Sequence, residues 1–270
     1  MATILITGAA GRLGRIVRAD LSRVDDLSLR LLDRRSGGDP DIVELDMAVP
    51  SPDWSDMLAD VDVIVHFAGN AHPKAGWPDM VGPNIDAPLN LYLAAARHGV
   101  RHIVLASSIW VCAGRRSDRA AIDARDADPG DSRYGATKLF AERLAHGFWL
   151  SDRIATTILR IGAYKADGET VAGLTQGWDA ETRLSSRDLC EGVRLAIGRT
   201  PEGVCTINLL SRNQNARFTL HEAEEAIGYV PQDRFETPTP GMTMHDRLRR
   251  VRHLLKTRVR AGRVVPVSGE

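Results

Sequence analysis

Short apolar runs alternate with amphipathic stretches through the first part of the chain. Ala2-Thr3-Ile4-Leu5-Ile6, Leu29-Arg30-Leu31-Leu32 and Ile103-Val104-Leu105-Ala106 have the apolar content of buried strands, and the pattern predicts strands near 3–7, 28–33, 41–45, 61–66, 101–107 and 154–160. Helical spacing predicts helices near 12–22, 82–98 and 133–149, the first carrying Leu13, Ile16, Val17 and Leu21 on one face. Strands that alternate with helices predict an α/β fold with a doubly wound parallel sheet. Beyond residue 160 the pattern loosens, with Gly168, Gly173 and Gly177 in an expected loop and helical patterns near 186–198 and 219–228. No internal repeat or low-complexity linker interrupts the chain.

The first strand and first helix are joined by Thr7-Gly8-Ala9-Ala10-Gly11-Arg12-Leu13-Gly14. Glycines between a strand and a helix allow a tight turn, close backbone approach to a pyrophosphate and amide N–H groups aimed at the anion, as a Rossmann-type dinucleotide fold requires. The second strand ends in Asp33, about 20 residues past the glycines, where a carboxylate meets the adenosine ribose hydroxyls. Asp33 repels a 2′-phosphate and favours NAD, while Arg34 and Arg35 leave NADP possible.

Tyr134 and Lys138 stand four apart, on one face of the predicted helix, so the ammonium can lie under the phenol. A charge roughly 4 Å away at an effective dielectric near 20 is worth ~4 kcal/mol, or ~3 pKa units, enough to make a phenol a base near neutral pH. Ser107 and Ser108 end the strand over 101–107, at the sheet edge where α/β proteins bind ligands. A Ser hydroxyl there can orient a substrate oxygen toward Tyr134.

The ordered set of the Gly-rich loop, Asp33, Asp46, His66-Phe67-Ala68-Gly69, Asn84, Ser107-Ser108, Tyr134 with Lys138, and Leu159-Arg160-Ile161-Gly162 resembles the extended short-chain dehydrogenase/reductase, or NAD-dependent epimerase/dehydratase, family. The resemblance implies pyrophosphate binding by Gly8, Ala10, Gly11, Arg12, Leu13 and Gly14, and ribose binding by Asp33 and Arg34. It also implies an adenine contact at Asp46 and Met47, a cleft lined by Ala68 and Gly69, and Asn84, Tyr134 and Lys138 near the nicotinamide ribose. It implies a Rossmann-type NAD-binding domain over 1–165, followed by a small substrate-covering lobe and C-terminal helical tail over 166–270. Asn84-Ile85-Asp86-Ala87-Pro88-Leu89-Asn90-Leu91-Tyr92, the helix from Tyr134 to Glu142 and Leu184-Ser185-Ser186-Arg187-Asp188-Leu189 look like the uronate dehydrogenase branch, which oxidises C1 of a cyclic uronic acid to a lactone with NAD. Where that branch follows its serine with Asn-His, this chain has Ser108-Ile109-Trp110, and Trp178 stands at the position of its carboxylate-gripping Arg. Arg183, nearby in sequence, is the alternative anion contact, and the substrate becomes a different sugar, including one with another acidic group.

The expected chemistry is oxidation of a free sugar at its C1 hemiacetal hydroxyl. Ser108 hydrogen-bonds that hydroxyl, Tyr134 takes its proton, and Lys138 keeps Tyr134 acidic enough to do so. The expected pocket draws on 70–78, 109–115 and 163–183, with Asn70, His72, Ser107, Ser108, Ile109, Trp110 and Arg183 as substrate contacts. Two alternatives remain: a nucleotide-sugar epimerase or dehydratase, and a dinucleotide-binding sensor without chemistry.

Bulk properties narrow the setting. Formal net charge is zero, which argues against a general nucleic-acid surface. The Arg-rich segment 247–263 repeats Leu248, Val251, Leu254, Leu255 and Val259 at helical spacing, as a packed helix with a basic face. Cys112, Cys190 and Cys205 lack metal-ligand spacing and suggest a reducing cytosol. No array of His residues predicts a metal, and no signal peptide or membrane-spanning run is expected. In the resembling family, helices equivalent to 82–98 and 133–149 pair subunits, so a homodimer or homotetramer is expected.

Overall fold

All six predicted strands form, as β1 (Ala2–Thr7), β2 (Leu27–Asp33), β3 (Ile42–Glu44), β4 (Val63–His66), β5 (His102–Ser108) and β6 (Ala155–Ile161). They were located in a computed structural model that describes residues 1–164 and 177–236. The Arg-rich segment 247–263, Gly168, Gly173 and most of the expected tail lie outside the described residues. Two short parallel pairs follow, β7 (Ala163–Tyr164) with β8 (Arg183–Leu184), and β10 (Arg212–Asn213) with β11 (Arg234–Phe235). Between the two pairs, β9 (Val204–Leu209) joins the main sheet beside β6.

The sheet has seven parallel strands in the order β3-β2-β1-β4-β5-β6-β9, the Rossmann-type doubly wound order. Strand order reverses between β1 and β4, which opens a crevice at their carboxyl ends. The seventh strand is the element the sequence pattern missed. Thr206 and Asn208 interrupt its apolar run, but Asn208 is fully buried and donates to the Thr219 carbonyl at 3.1 Å. The β-branched content of Val204-Cys205-Thr206-Ile207 after Gly203 was the available signal. The main sheet thus takes a strand from beyond residue 165.

The helices are α1 (Arg12–Leu21), α2 (Pro52–Ser55), α3 (Trp77–Val81), α4 (Ala87–His98), α5 (Arg133–Asp152), α6 (Gly177–Glu181), α7 (Ser186–Ile197) and α8 (His221–Ile227). Alternate strand residues serve opposite faces of the sheet. Ile4, Ile6, Val65, Val104, Leu159 and Ile207 pack with Val17 of α1, Leu189 and Val193 of α7 and Ile227 of α8. Leu5, Ile64, Ile103, Leu105 and Ile158 pack on the other face with Leu91 and Tyr92 of α4 and Ala141 and Ala145 of α5.

The helix expected over 82–98 is broken at its start. A π-helical turn, Gly82–Asp86, precedes α4, and its wider winding places Asn84 inside the protein. From there α4 runs with Pro88 in its first turn and ends at Gly99 in the left-handed conformation, as helix-terminus chemistry dictates. Among the described residues no helix is long and apolar enough to cross a membrane.

Because Ile207 is fully buried in the same cluster as β1 and α1, Ile207→Ala is expected to lower the unfolding free energy by about 2–5 kcal/mol. Chemical denaturation followed by circular dichroism checks this; loss of β9 alone, in a separate transition, would contradict its membership in the central core.

Candidate active site

The crevice at the carboxyl ends of β1, β2 and β4 is a cleft of about 630 Å³ whose walls include Gly8, Ala10, Gly11, Asp33, Arg34, Asp46, Met47, Ala68 and Gly69. Gly8 makes the turn out of β1 with φ +72°, a conformation that L side chains rarely adopt. Asp33 Oδ2 accepts the Ala10 N–H at 3.0 Å and Oδ1 accepts the Arg35 N–H at 3.3 Å, so the carboxylate at the end of β2 also fixes the Gly-rich turn. Gly14 is buried in α1 and is not part of the cleft wall.

A second pocket of about 220 Å³ continues from this cleft and shares Phe67, Gly69 and Ala71 with it. Its walls carry Arg12 and Leu13, the end of β5 from Ala106 through Ser108, Ile109 and Trp110, and Tyr134 and Lys138 of α5. Ile161 to Tyr164 close the far side. Gly69 stands between the two cavities: an added Cβ there would lie 3.1 Å from Asn84 Oδ1 and 3.5 Å from Lys138 Nζ. A long cleft with a carboxylate at one end, a glycine turn beneath it and a hydroxyl-bearing pocket at the other end fits an extended dinucleotide whose reactive ring reaches Ser108 and Tyr134.

Burial sets the electrostatics here. Tyr134 is buried against Trp110, with ring centroids 6.4 Å apart and planes at 72°. Burial pushes its phenol up to about 12, and a hydrogen bond with Ser108 pulls the other way. Lys138 is also buried, donates from Nζ to the Ala106 carbonyl at 2.9 Å, and is brought down to about 8 by desolvation, against the pull of Glu142. The phenol is thus shifted upward by burial, where the one-turn spacing to Lys138 led to the expectation of a lowering. His66 is likewise forced neutral, down to about 3, by burial and secondarily by the Lys138 charge, and its Nδ1 lies 2.7 Å from the Thr7 hydroxyl on the neighbouring strand.

Beneath the pocket lies a buried ion pair that sequence reasoning did not single out. Arg160 on β6 donates Nε and Nη2 to the two Glu142 carboxylate oxygens at 2.9 and 2.8 Å, and Nη1 to the Asp126 carbonyl. Ser107 donates to Glu142 Oε1 at 2.5 Å, so of the two serines it is Ser108 whose hydroxyl meets Tyr134. Glu142 falls four residues after Lys138, and that continued i, i+4 spacing, with a charged residue inside the strand Ala155–Ile161, was the legible signal.

The chain matches the family described as NAD dependent epimerase/dehydratase over residues 4–174. It belongs to that family. It is accordingly an NAD(P)-dependent oxidoreductase. It is 31% identical over 265 residues to an L-arabinose 1-dehydrogenase (NAD(P)(+)) of Haloferax volcanii, a match that covers 88% of this chain and 99% of the relative. It is 30% identical over 240 residues to a uronate dehydrogenase of Pseudomonas putida, covering 87% and 85%. Among solved structures, a mutated uronate dehydrogenase superposes with a TM-score of 0.72 at 28% identity, covering 99% of this chain and 89% of that one.

Several residues expected in this epimerase/dehydratase site take other places. Asn84 is buried and exchanges hydrogen bonds with the Asn70 backbone at 2.7 and 3.1 Å while donating to Thr137 Oγ1 at 3.1 Å, which ties the loop after β4 to α5. Asn70 and His72 line the dinucleotide cleft rather than the smaller pocket. Arg183 pairs with Ala163 across β7 and β8, but its guanidinium lies over Phe235, 5.2 Å from the ring centroid, and it is not in the pocket wall among the described residues. Trp178 packs edge-on against Phe218 at 5.2 Å. Tyr164, not foreseen, closes the pocket, with the Arg12 guanidinium 5.6 Å from its ring and its hydroxyl 3.2 Å from Ser186.

Arg160→Met leaves Glu142 buried without its partner and is expected to cost about 3–5 kcal/mol of stability. Replacing both residues, Glu142→Leu with Arg160→Met, is expected to recover part of that loss, because no uncompensated charge remains. Thermal unfolding of the single and double variants checks both; additive losses would contradict the coupling.

Proposed function

We propose that this protein oxidises the C1 hydroxyl of a free cyclic sugar to the corresponding lactone, using NAD with NADP as a possible substitute. The observation that carries the reading is the convergence of Ser108, Tyr134 and Lys138 on one small pocket that continues from a dinucleotide-sized cleft. That pocket suits a single sugar ring, and the similarity to sugar 1-dehydrogenases and uronate dehydrogenases supports the same chemistry over nucleotide-sugar epimerisation.

Gly8, Ala10, Gly11, Arg12 and Leu13 would hold the pyrophosphate, Asp33 and Arg34 the ribose, and Asp46 and Met47 the adenine. When bound, NAD supplies the acceptor for the hydride that leaves C1. Ser108 orients the C1 hydroxyl by a hydrogen bond and Tyr134 takes its proton. Lys138 sits one turn further along α5, where its positive charge stabilises the phenolate that Tyr134 presents. Ile109, Trp110 and Tyr164 exclude water from the face of the ring, and the ring oxygen shares the positive charge that develops at C1. A homo-oligomer in a reducing cytosol completes the reading, supported by three free cysteines and by Leu93 of α4 and Phe140 of α5, which stand exposed.

Tyr134→Phe is expected to lower the rate of NADH formation from a turned-over sugar by about 10²–10⁴-fold while NAD binding persists. Because burial raises the phenol, the base form of Tyr134 is scarce at neutral pH and grows as pH rises. Wild-type oxidation is therefore expected to accelerate between about pH 6 and about pH 9. NADH absorbance against a sugar panel checks both; a Tyr134→Phe protein that keeps its rate would remove the phenol from the mechanism.

A further inference from the structure

The backbone of Trp110 is fixed by the site itself. Its N–H donates to Ser108 Oγ at 3.3 Å, and its carbonyl packs so closely on α5 that an added Cβ at Gly135 would collide with it. The indole ring is held by other means. It is half-buried, lines the pocket of Ser108 and Tyr134, and meets the Tyr134 ring edge-on. It also lines a neighbouring open cavity, and there Arg116 brings its guanidinium carbon to 4.1 Å from the ring centroid. Among the described residues Arg116 belongs to the wall of that outer cavity and not to that of the pocket.

The same guanidinium lies 5.5 Å from the Trp178 ring centroid, and that of Arg217 lies 5.7 Å from it. Indoles and cations thus alternate in the order Trp110, Arg116, Trp178, Arg217. The far end of the series is anchored. Arg217 pairs through Nε with Glu181 at 2.7 Å and donates to the Arg115, Arg116 and Asp118 carbonyls at 3.0, 3.4 and 2.6 Å. Trp178 is buried edge-on against Phe218. A guanidinium over two indole rings is attracted by both ring quadrupoles, and its flat shape stacks where an ammonium would not. Arg116 is itself exposed, outside the hydrophobic core, so its contact with Trp110 can be removed without opening a cavity.

The pocket commits most of its polar side chains before a sugar arrives. The Ser107 hydroxyl is given to Glu142 and the Lys138 ammonium to the Ala106 carbonyl, and Ser108 and Tyr134 serve C1. Leu13, Phe67, Ile109 and Ile161 make much of the remaining wall apolar, so the placing of flat faces decides how a sugar ring sits. An indole face accepts the C–H face of such a ring. We infer that Arg116 is a positioning residue for sugar recognition: it holds the Trp110 indole as the wall on which the sugar ring lies, by tying it to Trp178 and Arg217. This rests on the dehydrogenase reading of the same site and adds a residue outside the pocket that sets the affinity for the sugar, acting through Trp110.

The test uses the full chain with NAD and a panel of free aldopentoses, aldohexoses and hexuronates, and follows the sugar with the highest kcat/KM. Arg116→Met keeps the length of the side chain and removes the cation; it is expected to raise the KM for that sugar about fivefold, with much smaller changes in kcat and in the KM for NAD. Arg116→Lys keeps a cation without the planar fork and is expected to fall between the two. Trp110→Leu is expected to raise the same KM at least about tenfold. Arg116→Met added to Trp110→Leu is expected to raise it no further, since the arginine then has no ring to hold. A sugar KM that does not move in Arg116→Met or in Trp110→Leu overturns the inference, and so does an equal effect of Arg116→Met with and without Trp110. Each of those results leaves the dehydrogenase reading standing. Silence across the whole panel, with NAD still bound, sinks the dehydrogenase reading and this inference with it.

Discussion

Glu142 and Arg160 are taken out of water together, and the carboxyl edge of the sheet is organised around that constraint. Burying either ion alone would cost several kcal/mol, whereas the pair satisfies both carboxylate oxygens and three guanidinium donors at once. Such a pair can exist only if α5, β6 and the segment that contains Asp126 are docked in one arrangement. Ser107 joins it from β5, which fixes the last turn of that strand and leaves Ser108 to face the phenol. Lys138 lies one helical turn above Glu142 on the same face of α5, and Tyr134 one turn above that. Ser108, Tyr134 and Lys138 therefore inherit their positions from an ion pair that does not line their pocket.

The same burial that positions these groups also decides their charge. Desolvation raises the Tyr134 phenol, lowers the Lys138 ammonium and keeps His66 neutral. Counting charges along a helix favoured the opposite state for Tyr134, because spacing reveals the neighbouring cation and conceals the loss of water.

The two ends of the crevice are built from different materials. The dinucleotide end uses the main chain of a Gly-rich turn, a carboxylate at a strand end and small residues after β4, features held by the register of β1, β2 and β4. The other end uses side chains from segments far apart in the chain: the stretch after β5, the start of α5 and the loop after β4. Trp110 and Arg116 illustrate the contrast, since their stacking assembles with Trp178, roughly sixty residues away, only through the satellite cluster of Ile109, Cys112, Leu210 and Phe218. Main-chain architecture suits a cofactor of fixed shape, and side chains on connecting segments suit a substrate that differs between relatives.

By itself the sequence determined the α/β alternation, the six strands of the nucleotide-binding half, the Gly-rich turn with Asp33, and the Ser108, Tyr134 and Lys138 set. These are local quantities: apolar period, glycine placement and one-turn spacing, each readable within about twenty residues. Tertiary structure alone decided that β9 completes the sheet, because Asn208 is polar in sequence and is buried there with its amide N–H given to the Thr219 carbonyl. It alone joined Asn84 to the Asn70 backbone and Thr137, and set the Arg183 guanidinium over Phe235. It alone took the Tyr134 phenol out of water. Each of these depends on partners distant in the chain and on the exclusion of water, and neither distance in space nor solvent is written in the order of residues.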